Sequence, residues 1–385
     1  MRRHLRPVSV DSLRAIVGAG VLLVASAGAA TAAPTQSQEP ERPLRLGVAG
    51  LTHGHVHGLL DRKALAGIEI VGIAEPDASL ARRYAERYRI PADRLFGDLA
   101  TMLDRARPEA VAAFGSTRDH LAVVEACAPR RVHVMVEKPL AIGGADARRI
   151  AELARTHGIQ VLTNYETTWY GSNRRLYELV LRDGTIGDIR KMVIHDGHAG
   201  PVTIGVEKEF LAWLTDPERN GGGALMDFGC YGANLMTWLM KGAQPLTVTA
   251  VTQRLQPRLY PRVDDEATIV LTYPEAQGII QASWNWPFGR KDTHVYGERG
   301  YVYAIDGRRL RVRLGNAERE SEAEPPPSPR DDPFAFLTAV VRGRTQVAPD
   351  ELSALELNVT VMDILDAARE SAGSGRTIRL AAPVR

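Results

Sequence analysis

From residue 44 strand-length apolar runs alternate with stretches of helical length and period. The runs cover 44–49, 68–74, 110–114, 132–136 and 160–163, and the candidate helices lie near 56–65, 78–88, 98–105, 118–128 and 144–157. Strands separated by a helix cannot close as hairpins, so they pair in parallel, with helices over both faces. Residues 44–163 are therefore expected to form a doubly wound α/β domain with a parallel sheet.

Downstream the period changes. Runs at 189–196, 246–252, 267–273, 277–284, 293–296 and 301–305 alternate apolar with polar residues, and one strong helix falls near 224–240. Residues 164–320 are expected to form an α+β domain with an open, mostly antiparallel sheet. The segment 318–330 is acidic and then proline-rich, which reads as an extended crossover. Helices at 333–341 and 349–371 follow, and the segment 331–372 is expected to pack back on the first domain.

With 48 Lys+Arg against 46 Asp+Glu among 385 residues, the composition excludes a disordered tail, a collagen-like repeat and a basic nucleic-acid binder. The small positive balance comes from the first 32 residues, which hold Arg2, Arg3, Arg6 and Arg14 but only Asp11; without them 44 basic and 45 acidic residues remain. An uncharged run then extends over 15–33 and passes through Ala30-Thr31-Ala32, a small-x-small cleavage pattern. Residues 1–32 are expected to be an export signal, with 33–43 a proline-containing leader, giving a periplasmic or secreted protein with no stable membrane insertion after cleavage. A membrane anchor is the alternative, and Arg2-Arg3 resembles the start of a twin-arginine signal. Cys127 and Cys230 are too few for a disulfide framework and are expected to be buried thiols.

The first run ends in Gly50-Leu51-Thr52-His53-Gly54-His55, a strand feeding a glycine-containing turn at a helix start. Such a turn can point N–H groups at a pyrophosphate. In a G-x-G-x-x-G count from Gly50, Thr52 and His55 occupy glycine positions. Gly50, Thr52, His53, Gly54 and His55 are candidate cofactor contacts. Glu75 ends the next strand 25 residues later, where a carboxylate bonds ribose hydroxyls and repels a 2′-phosphate, favouring NAD over NADP; alternatively it caps the next helix, as Asp77 is expected to do. His53, His55 and His57 alternate, yet no acid of matching spacing joins them, so no metal site is expected and His57 reads as helix surface.

After the fourth run comes Glu137-Lys138-Pro139, at the strand end where open α/β sheets bind ligands. In the helix near 224–240, Asp227, Tyr231 and Asn234 stand at i, i+4 and i+7 and would share one face. They form either a site or a hydrogen-bonded helix–sheet interface.

Taken together, the glycine turn, Glu-Lys-Pro about 90 residues later, and Gly-Gly-Gly-x-x-x-Asp-x-Gly-x-Tyr-x-x-Asn resemble the Gfo/Idh/MocA oxidoreductases from Leu44 to about Ala372. Asp-x-Gly-x-Tyr-x-x-Asn is similar to the glucose–fructose oxidoreductase branch. The resemblance implies a Rossmann domain holding NAD or NADP, a second domain with an open sheet, and a homodimer or homotetramer formed through that sheet. It implies that Ser116, His120, Glu137 and Lys138 line the cofactor, His120 matching the family's histidine after the third main strand. Lys138 would sit at the reacting hydroxyl, Tyr231 would donate or accept its proton, and Asp227 would position substrate.

The expected activity is hydride transfer between a nicotinamide and a hydroxyl-bearing carbon of a carbohydrate or polyol. Lys138 would lower the pKa of Tyr231 across a hydrogen bond. Asn234 would hold a neighbouring hydroxyl, while Tyr165 and Trp169, with Tyr170, Trp284 and Trp286, are candidate walls for the sugar. Two alternatives stand beside it: a glycosidase or lyase that uses a permanently held NAD, and a non-catalytic sugar-binding relative.

Overall fold

The computed structural model describes residues 42–62 and 67–380, so the expected signal and almost all of the leader lie outside the described residues. Six parallel strands, β1 (Leu44–Ala49), β2 (Ile68–Ala74), β3 (Leu95–Phe96), β4 (Ala110–Ala113), β5 (His133–Glu137) and β6 (Val161–Asn164), form one sheet in the order β3-β2-β1-β4-β5-β6. Residues in β1 and β4 are almost wholly buried, as a sheet covered on both faces demands. The two-residue β3 is too short to carry a period and was not expected.

Helices α1 (Val56–Leu60), α2 (Ala78–Tyr88), α3 (Leu99–Ala106), α4 (Asp119–Cys127) and α5 (Gly144–His157) link the strands. Asp77 caps α2 as expected, accepting hydrogen bonds from Ser79 N and Leu80 N at 2.8 and 3.2 Å.

A second sheet has nine strands: β7 (Ile189–Gly197), β8 (Thr247–Gln253), β9 (Glu266–Thr272), β10 (Gln277–Ser283), β11 (Arg290–Gly297), β12 (Gly300–Ala304), β13 (Arg309–Leu314), β14 (Ala317–Glu322) and β15 (Ile378–Arg379). Their order is β14-β13-β12-β11-β7-β10-β9-β8-β15. Only β7 and β10 pair in parallel. The expected crossover at 318–330 is corrected at its start, because Glu318–Glu322 belongs to the edge strand β14. Its cohesion comes from charge: Arg309, Arg311 and Arg313 stand opposite Glu322, Glu320 and Glu318, so no apolar period marked it.

The expected helix 224–240 is two helices, Ala224–Asp227 and Gly229–Leu239, joined at Phe228 with φ −113°. The helix Pro333–Val341 buries Phe334, Phe336 and Leu337 in the core beside β1. Leu355–Ser374 lies against α5, β8 and the Gly229–Leu239 helix. Cys127 and Cys230 are buried free thiols, each pushed up to about 12 by burial. Among the described residues no helix is long and apolar enough to cross a membrane.

Candidate active site

Five strand ends of the parallel sheet converge on one edge: Gly50 follows β1, Glu75 follows β2, Phe114 follows β4, and Glu137 and Asn164 end β5 and β6. Gly50 has φ +82°, and a Cβ there would lie 2.8 Å from Gly115 N, so the turn admits only glycine. Thr52 N and His53 N both donate to Phe114 O, at 3.1 and 2.9 Å, which stitches the turn to β4.

Glu75 accepts from Leu51 N and Asp77 N, each at 2.9 Å. Burial pushes its carboxyl up, against those two bonds. It thus braces the glycine turn, and each oxygen keeps a lone pair at the β2 strand end. The smooth face that Thr52 denies is supplied later. A Cβ on Gly54 would meet only Phe210, at 3.9 Å, and one on Gly58 would meet nothing within 4 Å. Gly54, Gly58 and Arg62, four residues apart, line a groove of about 350 Å³ with Phe114, Asn164 and Trp169. An open glycine face beside the Arg62 guanidinium, which pairs with Asp332 and lies over the Phe334 ring, fits a dinucleotide.

Two expected cofactor contacts are instead framework residues. Ser116 is fully buried, its N and Oγ both bonded to Asp119 Oδ2 at 2.8 and 2.7 Å. Buried His120 donates from Nδ1 to Pro139 O and Leu140 O, at 3.1 and 3.2 Å, and so fixes the turn that carries Lys138.

At that turn Lys138 Nζ donates to Asp227 Oδ1 at 2.5 Å and to Asp227 O at 3.1 Å, while Trp284 Nε1 holds Asp227 Oδ2 at 2.9 Å. Burial disfavours the Lys138 ammonium, but Asp227 outweighs it and raises the pKa. Burial opposes ionisation of Asp227 too, and Lys138 with His198 outweighs it, holding the carboxyl below its usual range. Both groups stay charged, and one Lys138 proton remains for a ligand.

Tyr231 corrects an expectation. Lys138 Nζ lies 5.3 Å from its ring centroid, a cation–π contact, and makes no hydrogen bond to its hydroxyl. Burial, followed by the nearby Glu166 and Cys230, pushes the phenol well above its ordinary value. It is a neutral O–H donor, not an activated phenolate.

Asn234 is also corrected. Its amide donates to Leu352 O and Asn358 Oδ1 at 2.8 and 3.2 Å, clamping the segment that precedes the C-terminal helix. Tyr165 is fully buried and packs edge-on behind Tyr231 at 5.3 Å, so it backs the site instead of walling it.

Trp169 is oriented as well as packed. Its Nε1 donates to Asn164 Oδ1 (3.0 Å), Asn164 Nδ2 donates to Glu137 Oε1 (2.9 Å), and Glu137 Oε2 lies 2.9 Å from His55 Nδ1. Burial works against an ionised Glu137, yet His55, His53 and Asn164 outweigh it and hold the carboxyl far below the usual range. His53 is buried beside Phe210, and its Nδ1 accepts from His55 N at 3.2 Å. His57 is corrected from free helix surface to a bridge: its Nε2 meets Glu207 Oε1 at 3.0 Å and its Nδ1 meets Tyr88 Oη at 2.5 Å.

Donor atoms of His53, His55 and Glu137 lie within 4.8 Å of one another, as do those of His195, Asp292 and His294. In the first set the carboxylate accepts from His55, and the bond into His53 Nδ1 leaves that ring's proton on Nε2. In the second, Arg290 takes both Asp292 oxygens at 2.8 and 2.9 Å.

Lys138, Tyr231, Asp227, His53 and His55 line one cavity of about 410 Å³, within the range of ligand sites. Lys291 and His198 are among the lining residues that sequence reasoning missed. Lys291 Nζ lies 5.0 Å from the Tyr231 ring centroid and bonds Glu166. It stands on β11 opposite Asp196 of β7, a pairing that no local spacing announces. Neither oxygen of buried Asp196 has a partner, and burial pushes its pKa well up.

Two family models match the chain: the oxidoreductase family with an NAD-binding Rossmann fold over residues 44–165, and the GFO/IDH/MocA C-terminal domain over 174–303. The Bos taurus trans-1,2-dihydrobenzene-1,2-diol dehydrogenase is 26% identical over 275 residues, covering 68% of this chain and 74% of the relative. The Homo sapiens protein of the same name is 25% identical over 295 residues, covering 76% and 83%. Among solved structures, an aldose-aldose oxidoreductase from Caulobacter crescentus complexed with glycerol matches with TM-score 0.73 and 24% identity, over 88% of this chain and all of that one. An inositol dehydrogenase homolog from Azotobacter vinelandii complexed with NAD+ matches with TM-score 0.76 and 19% identity, over 88% and 98%.

Proposed function

The chain belongs to the GFO/IDH/MocA oxidoreductases, with an NAD-binding Rossmann fold, and on that premise we propose that it passes a hydride between NAD and a hydroxyl-bearing carbon of a sugar or polyol. The observation that carries the reading is Lys138, pinned by Asp227 and opening on the same cavity as the Tyr231 hydroxyl. Lys138 offers its remaining N–H to the reacting oxygen and favours the alkoxide. Tyr231, kept protonated by burial, donates a hydrogen bond to that oxygen or its neighbour. Asp227 acts by fixing Lys138, with Trp284 behind it.

Gly54, Gly58 and Arg62 would hold the dinucleotide's phosphates, and Glu75, at the end of β2, would meet the ribose. Bound NAD supplies the hydride acceptor. The Glu75 carboxyl supports NAD over NADP. The aldose-aldose oxidoreductase and inositol dehydrogenase neighbours support the sugar or polyol class, and the Asp227 to Asn234 motif supports kinship with the glucose–fructose oxidoreductase branch.

The basic start and the Ala30-Thr31-Ala32 pattern support export with cleavage after residue 32, and the broad nine-stranded sheet supports a homodimer or homotetramer. N-terminal sequencing of protein from the periplasmic fraction tests the first; light scattering tests the second.

The activity test is reduction of NAD with a panel of polyols and aldoses, followed by the absorbance of the reduced nicotinamide. Lys138→Ala is expected to lower kcat/KM at least about 100-fold, and Tyr231→Phe about 10- to 100-fold. Full rates in both variants would remove the assignment.

A further inference from the structure

The side chains around the cavity of about 410 Å³ offer a ligand more donors than acceptors. Asp227 gives its two oxygens to Lys138 and Trp284. Glu207 gives one to His57, at 3.0 Å, and the other to Tyr84 Oη, at 2.9 Å. His55 has a lone pair at Nε2, because its Nδ1 donates to Glu137, but this ring also lines the dinucleotide groove.

The donors are left over. His53 Nδ1 accepts from His55 N at 3.2 Å and His198 Nδ1 from Gly200 N at 3.0 Å, so both rings carry a proton on Nε2. His53 is 2% exposed, and its Nε2 has no hydrogen-bond partner. Lys138 keeps one N–H, and Lys291, bonded to Glu166, keeps two. These groups gather around one ring: Lys138 Nζ lies 5.3 Å and Lys291 Nζ 5.0 Å from the Tyr231 centroid, and His198 packs edge-on at 4.9 Å against Phe228, which stacks on Tyr231. Asp196 stands opposite Lys291 in the ladder, yet neither of its oxygens is bonded, and burial pushes its carboxyl well up, towards the neutral acid. Lys291 is 21% exposed and Glu166 46%, so their pair is screened and easily rearranged.

A sugar hydroxyl that accepts from such a wall must still place its own proton, whereas a carboxylate only accepts. One ammonium and one neutral imidazole match a single negative charge, while a phosphate monoester carries about −1.5 to −2 at neutral pH. We propose that the substrate is a sugar acid, an aldonate or a uronate, whose carboxylate is received by Lys291 Nζ and His198 Nε2–H while Lys138 and Tyr231 face the reacting hydroxyl. This rests on the oxidoreductase reading above and names the substrate class within it. Lys291 and His198 set specificity, and the roles of Lys138 and Tyr231 are unchanged. The buried Nε2–H of His53 is a third donor in the same wall. Glu166 competes with the substrate for Lys291 and so tempers its affinity.

The test titrates the protein by calorimetry, with and without NADH, using glucuronate, galacturonate, gluconate and galactonate, each beside its neutral amide, and glucose 6-phosphate. NAD reduction is followed with the same panel. At least one acid is expected to bind about tenfold or more tightly than its amide, and K291M is expected to lower that ratio about 10- to 100-fold. K291R should keep the preference. E166Q, which releases Lys291, should move the other way and tighten the acid about threefold relative to its amide. Absence of an acid-over-amide preference in every pair, tighter binding of glucose 6-phosphate than of every acid, or a preference that survives K291M overturns the proposal. Failure of the underlying reading shows differently. Acid binding that collapses in K291M, in a protein that neither binds NADH nor reduces NAD, keeps the acid site and removes the oxidoreductase reading. NAD reduction with neutral sugars and no acid preference does the reverse.

Discussion

Replacing Asp227 by Asn keeps the side chain's shape and can keep an acceptor for Trp284, but it strands the Lys138 ammonium in a place where both partners are almost fully buried, 7% and 5% exposed. Solvent screens neither charge, so the loss is that of a broken buried pair, about 3–5 kcal/mol. In the wild type Lys138 has a raised pKa, so its contribution is complete below the unfolded value near roughly 10.4 and is lost only as pH climbs through the folded one. Asp227 has a lowered pKa, so its share is complete above roughly 3.9 and is lost as pH falls. The pair therefore adds no slope across neutral pH. In D227N the burial that Asp227 had outweighed, which is the largest influence on Lys138, is opposed only by Cys230 and Glu137, and the folded pKa of Lys138 drops beneath the unfolded one. Stability then rises with pH between those two values. For the roughly 340 residues from Arg42 onward, 3–5 kcal/mol corresponds to a fall in Tm of roughly 4–7 °C. Thermal melts by circular dichroism at a series of pH values read both effects. A D227N Tm within about 1 °C of wild type, with no new slope, would refute the argument. The double variant K138M/D227N should regain much of the loss, because it removes the stranded charge.

Two further outcomes are expected. Asn234→Ala should cost about 1–3 kcal/mol in urea unfolding by leaving Asn358 Oδ1 without its donor and removing one of the two donors to Leu352 O, and the folded enzyme should keep its KM within about twofold; a KM effect without a stability effect would restore Asn234 to the substrate. Gly50→Ala should strain the turn by about 1–3 kcal/mol through its φ of +82° and weaken NAD affinity, whereas Gly58→Ala, with open space in front of it, should reduce NAD affinity with stability unchanged. Calorimetric titration with NAD and denaturant melts separate these two effects.

The parallel sheet was legible because β1, β4 and β5 are buried almost throughout and so read as unbroken apolar runs. The strand-end motifs were legible because a turn and its residues are local in sequence. What failed were inferences that needed three dimensions. The i, i+4, i+7 count assumed one helix, whereas two meet at Phe228 and the Asn234 amide is taken by Leu352 O and Asn358. Lowering the pKa of Tyr231 assumed a hydrogen bond from Lys138, while burial and the Asp227 pairing decide otherwise. The acid missing beside the alternate histidines was Glu137, 82 residues beyond His55. Strands β13 and β14 carry alternate charges that find their partners only across the ladder.

That charged ladder also limits how the protein can assemble. All six residues of β14 are exposed, and the strand ends the nine-stranded sheet with an unpaired row of backbone donors and acceptors. A second copy adding itself there in two-fold antiparallel register about Glu320 would set that residue against its own counterpart, and Glu318 against Glu322 on either side. Like charges directly opposed penalise such pairing. The sheet thus carries its own stop signal: growth strand by strand into a fibre is disfavoured at this border.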